Sequence, residues 1–140
     1  MGEQAKKIGD KLEGFGEKIY ERFNWEELTR DQEIKCTKSS HRTEKGNPKK
    51  THGIDLYHKC LDPYKNQYIS IITECKNYKW EAINQKSIQT WFEQLEWTME
   101  CAQNAEELLE YNKNVMYIKT GYYLFMRMMG TMMILRLENT

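Results

Sequence analysis

A chain of 140 residues can bury one core and is too short for two, so a single domain spanning 1–140 is expected. Its 21 basic and 21 acidic side chains cancel, which excludes a uniformly basic protein but not a locally basic one. Four widely spaced cysteines without a Cys-x-x-Cys pair, and no apolar stretch behind Met1–Lys7, exclude a disulfide framework and a secretory signal and point to the cytoplasm.

Residues Lys6 to Phe23 read as an amphipathic helix, with Ile8, Leu12, Phe15, Ile19 and Phe23 in one stripe at three- and four-residue steps. Trp25 to Cys36 is expected as a first strand. Ser39 to Lys50 is a polar loop with a Gly46-Asn47-Pro48 turn signal. From Lys35 to His52 the charges are Lys35, Lys38, Arg42, Lys45, Lys49 and Lys50 against Glu44 alone, a segment suited to phosphates. His52 to Leu61 alternates as a second strand, and Asp62-Pro63-Tyr64-Lys65-Asn66 is a turn into a third, Gln67 to Cys75, forming a hairpin. His52, His58 and Cys60 alternate as strand residues do, but no fourth ligand at metal spacing is evident, so a structural zinc is not expected.

Ser87 is placed to cap a long second helix with Ile88, Trp91, Phe92, Leu95, Met99 and Ala102 on one face, ending near Tyr111-Asn112. Seven glutamates from Glu81 to Glu110 against Lys86 make this stretch one that phosphates should avoid. Val115 to Phe125 reads as a fourth strand. The apolar segment Gly121 to Leu137 is interrupted by Arg127 and Gly130 and is barely long enough to span a bilayer. It is expected as a buried strand followed by a second strand or short helix, with no membrane role. Six methionines from Met116 to Met133 make the wider tail a candidate homodimer or partner-subunit surface.

The chemistry concentrates at His52-Gly53-Ile54-Asp55 and Ile72-Thr73-Glu74-Cys75-Lys76. An Asp on one strand and a Glu-x-Lys on its hairpin partner put two carboxylates and an amine at one end of a sheet. Hydrolysing a phosphodiester needs charge neutralisation and a nucleophile at neutral pH, and Mg²⁺ or Mn²⁺ on one or two carboxylates supplies both. Asp55 and Glu74 are the candidate ligands, joined by the backbone carbonyl of Cys75. Lys76 shares a strand face with Glu74 and is placed to orient water or stabilise charge.

These residues resemble the motif of the PD-(D/E)xK nuclease superfamily, with Ile54 where Pro is expected. The element order is similar to its αβββαβ core, an α/β fold with a mixed central sheet flanked by helices. The resemblance implies metal-binding Asp55 and Glu74 and catalytic Lys76. Gly14-Phe15-Gly16-Glu17 looks like the helix motif of the Mrr-like branch, which implies Glu17 as a third catalytic and metal-binding carboxylate. Glu17 lies roughly opposite the apolar stripe on an ideal helix, so Glu13 and Glu21 remain rivals. Lys38, Arg42, Lys45, Lys49, Lys50 and Lys79 are the expected DNA-backbone contacts, and Gln89 is the glutamine expected near the site, ahead of Gln85 and Gln94. The implied activity is DNA cleavage, in the setting of prokaryotic defence against foreign DNA. A second reading is a nuclease-fold subunit that binds nucleic acid or protein without cutting alone. Without function, Asp55 is a turn residue and Glu74–Lys76 a weak surface pair. That leaves unexplained why two acids end neighbouring strands at the rim of a buried sheet.

Overall fold

The computed structural model describes residues 13–77, 80–113, 115, 117–126 and 132–138, and side chains up to residue 115 apart from 76–80 and 114. Helix α1 covers 13–22. Strands β1 (Glu26–Lys35), β2 (Thr51–Asp62) and β3 (Gln67–Asn77) follow, then helix α2 (Gln85–Ala102), and strands β4 (Tyr117–Met126) and β5 (Met132–Glu138). They form one sheet in the order β1-β2-β3-β4-β5, antiparallel throughout except for the parallel β3–β4 pair. A parallel pair requires a long crossover, and α2 provides it. The mixed αβββαβ architecture is the one expected from the sequence, with β5 as the added strand.

Local chemistry explains the elements. β3 is the middle strand, and Ile69, Ser70, Ile71, Ile72 and Thr73 are all buried, as a strand covered on both faces requires. β1 lies at the sheet edge and keeps a polar, largely exposed pattern. The β2–β3 turn closes as Asp62 Oδ1 accepts the backbone N–H groups of Tyr64 and Lys65 at 3.0 and 3.3 Å, with Asn66 at φ 51°.

α2 begins one turn earlier than Ser87. Asn84 is the cap: its side chain accepts the Ser87 N–H, and the Ser87 hydroxyl accepts the Asn84 N–H. The helix also stops at Ala102 rather than near Tyr111. The chain must turn there to bring Ala105 and Leu108 beneath the sheet, where both are buried.

Two apolar layers sandwich the sheet. On one face Trp91, Leu95, Met99 and Ala102 of α2 pack on Ile34, Ile54, Tyr57 and Ile72. Each fully buried Leu or Ile there is worth about 2–3 kcal/mol. The Tyr57 hydroxyl meets Ser70 at 2.8 Å and Asn112, fastening the segment after α2 to the sheet. On the other face α1 lays Tyr20 against β2 and β3. Its hydroxyl hydrogen-bonds Thr73 Oγ1 at 2.7 Å and its ring meets His58 edge-on at 4.7 Å. The buried side of α1 is therefore Gly16 and Tyr20, while Phe15 and Phe23 of the expected stripe are 42% and 58% exposed. Among the described residues no helix is long and apolar enough to cross a membrane.

Candidate active site

β2 and β3 are hydrogen-bonded from the turn as far as Leu56 and Thr73. Beyond that pair they part: β2 runs on with β1 to Thr51, and β3 runs on with β4 to Asn77. Asp55 and Glu74 are the first residues past the fork. The fork opens a cavity of about 260 Å³ lined by Asp55, Glu74, Gly53, Lys49 and the α2 residues Gln94, Leu95 and Thr98. A bond that the ladder no longer supplies is replaced by a side chain, as Asp55 Oδ2 accepts the Cys75 backbone N–H at 2.7 Å. This bond ties the two motifs across the fork and fixes the Asp55 carboxylate.

Ile54 and Tyr57 both join the core under α2, although an odd spacing should put them on opposite faces. Asp55 lies between them, in a stretch where the pairing with β1 keeps its register. Facing it on β1 is Asp31, in the left-handed region at φ 50°, which Asp tolerates better than most residues. The register runs Arg30 to Leu56 and Gln32 to Ile54 around this position.

Carboxylate oxygens of Asp31, Asp55 and Glu13 lie within 4.8 Å of one another. Glu13 precedes Gly16 and Tyr20 by three and seven residues, so it shares the sheet-facing side of α1. Glu17, the acid preferred from the sequence, is elsewhere: its Oε2 pairs with Arg30 at 3.0 Å, and Arg30 also holds Glu27. The physical reason is how α1 docks: Tyr20 rather than the Phe stripe is the buried anchor, which sets the Glu13 turn of the helix beside Asp55 and leaves Glu17, one turn further on, at Arg30. Glu21 is exposed. Asp31 was not singled out in the sequence, and its only signal was an acid inside a strand.

The remaining expectations divide. Lys49 reaches the Asp55–Glu74 cavity, whereas Lys38, Arg42, Lys45 and Lys50 do not line it. Arg42 instead lines a second hollow of about 230 Å³ with Thr43, Glu44, Thr90, Glu93, Gln94 and Trp97. The basic segment thus packs against acidic α2, and the two charge runs partly offset each other. Gln94 replaces Gln89, which is exposed outside the cavity, because residues 94, 95 and 98 face the fork. Lys76 sits on β3 opposite Phe125. Its side chain and all of Lys79 lie outside the described residues, as do the side chains of the Met-rich tail.

The donor set fits a hard divalent cation. Like-charged carboxylate oxygens this close repel one another, and oxygen ligands in small number suit Mg²⁺ or Mn²⁺.

Neither the curated proteins nor the solved structures yield a match to this chain. A family model does match, over residues 1–136, described as the GAPS4 protein PD-(D/E)XK nuclease domain. The match bears out the superfamily and the fold read from Asp55 and Glu74-x-Lys76, and it does not extend to the Mrr-like branch. With its forked sheet and clustered carboxylates, the chain belongs to the GAPS4 PD-(D/E)XK nuclease domain family.

Proposed function

We propose that this domain is a divalent-metal-dependent endodeoxyribonuclease acting against foreign DNA in the prokaryotic cytoplasm. The observation that carries the reading is the convergence of Asp55 and Glu74 on one cavity at the β2–β3 fork, with Asp31 and Glu13 adjoining Asp55.

Asp55 and Glu74 would hold Mg²⁺ or Mn²⁺, with Glu13 and Asp31 as the added carboxylates. The bound ion supplies charge neutralisation at the phosphate and a more acidic water. Asp55 presents its carboxylate in a fixed pose because Cys75 N–H holds Oδ2. In an extended strand the N–H and C=O of one residue face the same side, so the Cys75 carbonyl belongs to the same edge as Asp55. Lys76 orients the attacking water and offsets charge on the phosphate. Lys49, at the cavity wall, binds a phosphate oxygen of the DNA backbone. Leu95, fully buried, gives the cavity an apolar stretch of wall.

The test is supercoiled plasmid with Mg²⁺ or Mn²⁺, beside chelated controls and the Glu74→Ala and Lys76→Ala variants. Wild type should nick or linearise the plasmid, and each variant should lose at least about a hundredfold in rate. Equal cleavage by all three would falsify the assignment. A wild type that cuts neither plasmid, RNA nor branched junctions but forms a stable complex with another protein would favour the subunit reading.

A further inference from the structure

In and around the segment that carries Lys49, four side chains that are distant in sequence meet. They are Cys36 just after β1, His41 in the basic segment, His52 on β2 and Cys101 in the last turn of α2. One ligand atom from each lies within 4.8 Å of every other. His41, His52 and Cys101 are buried and Cys36 is half-buried. We propose that these residues form a Cys₂His₂ site for a structural zinc ion that locks the basic 36–50 segment onto α2 and β2.

Four of the six edges match those of a tetrahedron with its centre left for a metal. Zinc bonds of about 2.3 Å to sulfur and about 2.0–2.1 Å to nitrogen give edges of about 3.8 Å between sulfurs, 3.6 Å between sulfur and nitrogen and 3.4 Å between nitrogens. Here Cys36 Sγ and Cys101 Sγ are 3.9 Å apart, His41 Nδ1 is 3.4 and 3.6 Å from them, and it is 3.4 Å from His52 Nε2.

Hydrogen bonding sets the tautomers. The Thr98 hydroxyl donates to the Gln94 carbonyl at 2.9 Å, so its oxygen is an acceptor for His52 Nδ1–H at 3.4 Å. That leaves a lone pair on His52 Nε2. His41 Nε2–H donates to Glu100 Oε2 at 3.1 Å, which leaves a lone pair on His41 Nδ1. With a neutral His41, two lone pairs face each other at 3.4 Å, an arrangement that a cation between them satisfies. A carboxylate and a hydroxyl behind the ring nitrogens are the outer partners that ligating histidines use. Burial, with Lys49 and His41 nearby, lowers the His52 pKa to about 4, so the ring is neutral at pH 7. Cys101 Sγ accepts from the Thr37 N–H at 3.5 Å and the Thr37 hydroxyl at 3.7 Å, which suits a thiolate. Two thiolates would cancel the charge of Zn²⁺, and four side-chain ligands complete the tetrahedron without a water.

The 36–50 segment has few apolar anchors; His41 stacks on Trp97 at 5.0 Å, and Cys36 N–H and Lys49 N–H bond to Lys50 O and His41 O. Ligands at 36, 41, 52 and 101 would staple this segment at both ends, and with it Lys49 at the cavity. The sequence did not suggest this set, because Cys36 and His41 lie in another segment and Cys101 lies 49 residues beyond His52.

The test is metal content of the chain purified without chelator, read by mass spectrometry of the metal. About one zinc per chain is expected in wild type, Cys60→Ser and Asp55→Asn, and none in Cys36→Ser or Cys101→Ser. Because the Ser variants risk unfolding, Glu100→Gln and Thr98→Val provide milder probes, each expected to weaken zinc affinity by about 10–100-fold. Cobalt(II) loaded into the unmodified chain should give the ligand-field bands of a tetrahedral ion and thiolate charge transfer. A folded, reduced chain that takes up neither metal overturns the proposal. So does a Cys36–Cys101 disulfide found by peptide mapping, or zinc that is lost with Asp55→Asn instead of Cys36→Ser.

Discussion

Replacing Asp55 with asparagine removes one negative charge and leaves the side-chain shape intact. In the metal-free domain Asp55 faces two other carboxylates at up to 4.8 Å. Each such pair repels by about 1 kcal/mol at the dielectric of water and about 3 kcal/mol at an effective constant of 20. Asp31 is exposed and Asp55 half-buried, so the lower figure applies to their pair, and taking it also for the more buried Glu13 makes about 2 kcal/mol a lower bound on the relief. Against this, the hydrogen bond from Cys75 N–H becomes neutral and loses about 1 kcal/mol. Asp55→Asn should therefore raise metal-free stability by about 1 kcal/mol, or about 3 °C in Tm for a chain of this size. Magnesium at ten times its Kd stabilises wild type by about 1.4 kcal/mol and the variant by little. The order of melting temperatures should thus reverse when Mg²⁺ is added at low salt, while plasmid cleavage by the variant falls at least about a hundredfold. Asp55→Ala, which leaves Cys75 N–H without its acceptor, should melt below Asp55→Asn by about 1–3 kcal/mol in either condition. Equal magnesium shifts for wild type and Asp55→Asn, or an Ala variant as stable as Asn, would refute the geometry assigned to this carboxylate.

Glu13→Gln should cut the cleavage rate by about tenfold or more. Glu17→Gln, which breaks a solvent-exposed pair with Arg30, should cost under about 1 kcal/mol and leave cleavage within a few-fold of wild type. Lys49→Ala should weaken DNA binding and flatten the plot of log affinity against log salt by about one unit in slope; an unchanged slope would remove Lys49 from the phosphate contacts. Tyr57→Phe should lower the urea-unfolding free energy by about 1–3 kcal/mol, because Ser70 and Asn112 lose a buried partner. His58 is buried and its pKa is lowered from 6.5, chiefly by burial. The unfolded chain then binds more protons below that pH, so stability falls as pH drops below about 6.5. His58→Gln should reduce that pH slope of the urea midpoint, and an identical slope would mean that His58 is not the group responsible.

Much of this domain was legible before any coordinates. Ile69–Thr73 could only be a strand covered on both faces, the Asp62–Asn66 run could only turn, and the Trp91–Leu95–Met99–Ala102 stripe could only be one side of a helix. Those signals are local, and period and turn chemistry carry them. That Asp55 and Glu74 are neighbours was legible too, because a hairpin converts sequence distance into spatial neighbourhood. What tertiary structure decided was phase and long-range company. Which acid of α1 faces the sheet depends on Tyr20 finding Thr73 and His58, and a helix with apolar residues on two sides does not declare that. Asp31 became a neighbour of Asp55 through β-pairing and a left-handed backbone angle that no composition rule announces. Cys101 met Cys36, His41 and His52 only because α2, crossing over from β3 to β4, packs back along the sheet and sets its last turn against the end of β1. Local propensities therefore specified the elements, and the packing of helices on a forked sheet selected which polar side chains share a site.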